Sequence, residues 1–136
     1  MRLKVVLAFG LLALAAGGAF ALAALTQPHA GAAGAHHVTI AGAGRPIFNG
    51  PVEVQNATAL SVLLAAAANG GFAVEIVNYP GMGEYVRAID GEAAQGASGW
   101  VYEVFEDGAW SLGTRGAASM PLDDGQAVRW RWSDSP

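Results

Sequence analysis

Few side chains in this 136-residue chain could carry bond-making chemistry. Cysteine is absent, and the single lysine is Lys4. The three histidines, His29, His36 and His37, stand ahead of the patterned region, so neither a Ser-His-Asp nor a Cys-His arrangement has a base within it. Adjacent histidines can ligate a metal, but no carboxylate or thiol lies near them at a ligand spacing. Two pairs of adjacent carboxylates remain, Glu106-Asp107 and Asp123-Asp124, and paired carboxylates are the material of acid–base catalysis. Both pairs run into glycine, as Asp107-Gly108 and Asp124-Gly125, which is turn chemistry. A calcium loop at Asp123-Asp124 would need oxygens at alternate positions, which the sequence does not supply. Gly81-Met82-Gly83 lacks the lysine and the strand–loop–helix setting of a phosphate cradle. It reads as a turn that presents Met82, a side chain suited to adaptable apolar contact, close to Tyr85. These residues argue against an enzyme and for a surface that binds.

Charge and hydropathy say where such a surface would work. Apolar residues make up 53% of the chain, and they are densest at its start. Arg2 and Lys4 precede an uncharged run from Val5 to Leu25, and the first acidic residue is Glu53. A basic n-region followed by an apolar stretch is an export signal. Ala21-Leu22-Ala23 offers a small-x-small cleavage site, while a run of about 20 residues also suffices to span a bilayer. Residues 1–25 are therefore read as a cleaved signal peptide or a retained N-terminal membrane anchor, with both outcomes open. Without cysteine, a lipid-modified cysteine anchor is excluded. Either outcome places the rest outside the cytoplasm, secreted or at the cell surface, touching membrane only through the N-terminal segment. Residues 26–36 are rich in Gly and Ala and form a linker, and the domain occupies 37–134.

Setting aside Arg2 and Lys4 leaves five arginines against eleven acidic residues, a net charge of −6 with neutral histidines. Such a domain repels phosphate backbones, so nucleic acid is not an expected partner. The alternation of Arg129 and Arg131 with Trp130 and Trp132 imitates a base-stacking platform. Strand alternation explains it more simply, with the tryptophans turned to the core and the arginines to water. Lacking disulfides, the core alone holds the domain, and Trp100, Trp130 and Trp132 bring large areas to bury.

Val38-Thr39-Ile40 and Val52-Glu53-Val54-Gln55 read as strands, separated by turn residues from Gly42 to Pro51. Thr58 caps a helix whose apolar stripe is Leu60, Leu63, Leu64 and Ala67, and Gly70-Gly71 ends it. Phe72–Val77 and Tyr85–Ile89 alternate as strands around the Pro80–Gly83 turn. Gly99–Phe105 and Val128–Trp132 form a closing pair that brackets Trp110, which is read as lying in a Gly-bounded loop from Gly108 to Gly113. The fold class expected is α+β: a β-grasp-like mixed or antiparallel sheet with one packed helix.

Five segments in this order resemble the transcobalamin-like C-terminal domain family, the β-domain of transcobalamin and intrinsic factor with its small bacterial relatives. They are Ile47-Phe48-Asn49, Thr58–Leu64, Gly81–Val86, Gly99–Tyr102 and Leu122–Trp130, and together they span residues 38–132. The resemblance implies a non-enzymatic module that covers one face of a corrinoid, such as cobalamin, or a similar flat ligand, with a partner protein closing the site. It implies ligand contacts at Tyr85, Tyr102, Trp110 and Leu112, leaves Trp100 in the core, and requires no cofactor beyond cobalamin as ligand. The alternative is a cell-surface or envelope domain that binds another protein and no small molecule. Fold alone does not separate these readings, because β-rich modules carry varied functions.

Overall fold

The computed structural model describes residues 2–4 and 35–135. Among them, nine strands and one α-helix run in the order β1 (Arg2–Lys4), β2 (Ala35–Gly42), β3 (Arg45–Glu53), α1 (Ala59–Gly70), β4 (Val74–Tyr79), β5 (Gly83–Ile89), β6 (Glu92–Ala93), β7 (Gly99–Glu106), β8 (Ala109–Leu112) and β9 (Val128–Ser133). They form two sheets, β1-β4-β5-β6 and β3-β2-β9-β7-β8. Neighbours are antiparallel except β2 and β9, which run parallel within the larger sheet. With α1 lying across β2, β3 and β9, this is the α+β arrangement expected, with its strands divided between two sheets. Arg2–Lys4 pairs with β4 and sets Lys4 opposite Glu75. The remainder of the expected export segment, and most of the linker, lie outside the described residues. Among the described residues no helix is long and apolar enough to cross a membrane.

Two segments near the start of the domain differ from the sequence reading. β2 begins at Ala35, so His36, assigned to the linker, belongs to the fold, where its buried ring donates from Nδ1 to the Gln126 carbonyl oxygen at 2.8 Å. Gly42–Pro51, read as turns, is a hairpin: the turn occupies only Ala43-Gly44, and β3 runs through Pro46 and Pro51. Proline is tolerated there because β3 is an edge strand and has no neighbour on its far side to receive an N–H.

The helix follows its capping signals closely. Thr58 Oγ1 accepts from the Ser61 N–H at 3.0 Å, and Ser61 Oγ accepts from the Thr58 N–H at 2.8 Å, so two of the helix's orphan donors are satisfied reciprocally. At the other end Gly71 adopts φ 72°, and the Gly71 and Phe72 amides both donate to the Ala67 carbonyl. The buried stripe is Leu60, Leu63 and Ala67 as expected, joined by Ala59, Val62 and Ala66, while Leu64 is only half-buried.

The larger sheet turns Val38, Ile40, Trp100, Tyr102, Val104, Val128 and Trp130 toward the helix and the smaller sheet. The Trp100 indole donates to the Glu92 carbonyl (2.8 Å) and the Trp130 indole to the Ala59 carbonyl (3.2 Å). Each tryptophan therefore fills space and satisfies its one polar atom. The Glu92 side chain accepts from the Ala43 amide at 3.1 Å, which ties the β2–β3 turn to the smaller sheet.

Candidate functional site

Strand pairing decides which side chains can meet. Residues directly opposite in an antiparallel pair share a face. Tyr102 lies opposite Trp130, on the core face, whereas Trp110 lies opposite Phe105 and Leu112 opposite Glu103, on the outer face. Trp110 is thus not in a loop. Asp107 (φ 53°) and Gly108 (φ 78°) make a two-residue turn of the type in which both residues take positive φ, and Trp110 sits on the edge strand β8 behind it. The four expected contact residues accordingly fall into two groups on opposite sides of the sheet.

The first group is Tyr85 with Tyr102. Tyr85 is at the start of β5, and parity through Val77 puts it on the same side as Tyr79, with ring centroids 6.2 Å apart. Between them the turn lifts Met82 into solvent, 86% exposed, with Tyr79 and Tyr85 at 46% and 40%. This tip borders a depression of about 400 Å³ lined also by Glu84 and Gly116. A smaller pocket of about 150 Å³ shares Glu84, Tyr85 and Gly116 with it and reaches Trp100, Tyr102, Arg115 and Trp130. Tyr102 is buried: its hydroxyl donates to the Arg115 carbonyl, its ring lies 5.3 Å from that of Trp130, and burial pushes its phenol up from the ordinary value. Tyr79 and Arg115 were not among the expected contacts. A hairpin that pairs Tyr79 with Gly83, two residues before Tyr85, is what sets the two tyrosines on one face.

The second group is Trp110 with Leu112. Phe105 meets the Trp110 ring edge-on at 5.3 Å, and the Arg129 guanidinium lies 4.4 Å from its centroid. Arg129 and Arg131 also pair with Glu103, the second at 3.3 Å. The arginines do face outward, as alternation required. Phe105 and Leu112 stand 42% and 54% exposed beside them.

Burial alone would raise the Glu103 carboxyl, but hydrogen bonds from Arg129 and Arg131 outweigh it and hold the group below its ordinary value. A carboxylate lowered in the folded state stabilises fully above its unfolded pKa, and that contribution is lost as pH falls through the lower, folded value. Glu103→Gln should cost about 1 kcal/mol at pH 7, a modest figure because both arginines are more than a third exposed. Urea unfolding of both proteins should show that gap closing as the pH drops below the ordinary carboxylate range. A gap unchanged by acid would contradict the assignment.

The remaining candidates for chemistry are occupied or solvated. His37 Nε2 is 2.6 Å from Asn49 Oδ1. Asp107-Gly108 and Asp124-Gly125 are turns, as read, and they bring Glu106, Asp107, Asp123 and Asp124 around a shallow depression beside Gln126. Among the described residues no group of three or more His, Asp or Glu side chains is placed to hold a metal.

No family profile and no curated protein sequence matches this chain. Its structure, however, is similar to that of haptocorrin solved in complex with Cbi, with a TM-score of 0.57 at 22% identity. The likeness covers 75% of this chain and 26% of the haptocorrin chain, so the chain spans about a quarter of its neighbour. The two share a fold, which is the structural relationship that the five segments implied.

Proposed function

We propose that this protein is an exported, non-enzymatic binding module that covers one face of a corrinoid or a similar flat ligand, with a partner protein closing the other face. The observation that carries the reading is the exposed tip formed by Tyr79, Met82 and Tyr85, set on a fold shared with part of a structure that holds Cbi. Large apolar side chains gathered at one exposed place mark an interaction surface. A flexible methionine between two tilted phenol rings suits a broad planar ligand, and the pocket above Tyr102 and Arg115 could take one of its edge substituents. The basic residues and apolar run at the N-terminus support the extracytoplasmic part of this reading.

The test is an absorbance titration of the protein with a panel of corrinoids and a porphyrin control. Saturable spectral change is expected, and Tyr85→Ala combined with Met82→Ala should weaken binding at least about tenfold with no fall in melting temperature. Equal affinity for the double variant, or no spectral change with any corrinoid, would sink the reading.

A further inference from the structure

The edges of the larger sheet are unequal. β3 carries Pro46 and Pro51, and its pairing with β2 is broken by a register shift at Ile40/Ala41; prolines and bulges of this kind blunt an edge. β8 (Ala109-Trp110-Ser111-Leu112) has no proline, no charge and no bulge. Its hydrogen-bonding phase is fixed by the Gly113 amide, which donates to the Tyr102 carbonyl at 2.9 Å. Bonding alternates along an antiparallel strand, so Ala109, Ser111 and Gly113 turn their backbone groups to β7. Trp110 and Leu112 turn theirs to the open side.

We propose that β8 is an interface between two copies of this chain, paired antiparallel about a two-fold axis through Ser111. In that register Trp110 of each copy lies opposite Leu112 of the other, and both positions have outward backbone groups. Four ladder hydrogen bonds form. Because opposite residues share a face, each tryptophan packs beside a leucine on the outer face, and both join the exposed Phe105. A two-fold interface must be self-complementary, and β8 is so in hydrogen-bond phase and in apolar contact. The register one step away, with Trp110 facing Trp110, forms two ladder hydrogen bonds within the strand in place of four.

A four-residue strand buries less than the roughly 800 Å² per partner of a standard interface, so the association belongs to the weak class. Covalent trapping is therefore the suitable assay. The chain has no cysteine, which makes a single introduced one unambiguous. Ser111→Cys places two thiols on the axis at a non-hydrogen-bonded pair, with Cα atoms about 4.5 Å apart, within disulfide range. Ala109→Cys, on the same face of the same strand, would lie about 13 Å from its equivalent. In the full chain, solubilised in detergent and mildly oxidised, Ser111→Cys should give disulfide dimers and Ala109→Cys should not. This control removes any association through the apolar N-terminal segment. Adding Leu112→Lys to Ser111→Cys should lower the cross-linking rate about tenfold, with circular dichroism confirming that the variant is folded. Equal cross-linking at 109 and 111, cross-linking of Ser111→Cys only to other proteins, or none in the folded chain would each overturn the proposal. Corrinoid titration of the Tyr79–Tyr85 tip is indifferent to all three results.

Discussion

Replacing Trp130 with alanine is expected to destabilise the domain by about 3–5 kcal/mol, the largest effect of any single truncation considered. Its side chain is 3% exposed and lies between Tyr102, with ring centroids 5.3 Å apart, and the start of α1, where the indole donates to the Ala59 carbonyl. Removing the ring opens a cavity where helix and sheet meet. A domain of this size has a total stability of about 5–15 kcal/mol, so the variant should melt more than about 10 °C lower. Trp130→Phe separates the two contributions: it keeps most of the apolar area and loses the indole bond, which is worth about 1 kcal/mol. A melting temperature unchanged in Trp130→Ala would show that the core does not rest on this face.

Gly113→Ala should cost about 1–3 kcal/mol although it adds one methyl group. Gly113 follows β8 and lies flat against the Tyr102 ring, so closely that a Cβ would overlap ring carbons. The ring cannot retreat, because Trp130 is behind it and its hydroxyl is held by the Arg115 carbonyl. Glycine is required here for closeness of approach and not for a positive φ. A double-mutant cycle isolates the contact: in a Tyr102→Ala background the penalty of Gly113→Ala should largely disappear. Additive losses would place its origin elsewhere. Thermal unfolding of the four proteins supplies the measurement.

The helix was legible because its signals are local. Thr58, Ser61 and Gly71 act on amides within one turn of themselves, and no distant packing competes with them. The face of β9 was legible too, since tryptophans alternating with arginines leave one burial choice. β3 was not, because glycine and proline density reads as turn, and only its place at the sheet's edge permits a strand. β8 is too short to show a period. Its clue was Asp107-Gly108 between Phe105 and Trp110, a two-residue hairpin whose parity assigns Trp110 to the outer face. The division of the four expected contact residues depends on that parity and on how two sheets meet. Tyr85 and Tyr102 are brought near one pocket by tertiary packing alone, with no pattern in the chain to announce it.

The two prolines of β3 bear on how far an assembly could grow. A sheet with two receptive edges can add copies at either side without limit, and such head-to-tail addition ends in fibres. Here Pro46 and Pro51 withhold donors at one end of the five-strand order while β8 is open at the other. Once one β8 meets another, the receptive edge of each larger sheet is used up and the edge it still turns outward is the proline-bearing β3. Addition then terminates at two copies, which protects a cysteine-free domain from polymerising through the strand that it leaves uncovered.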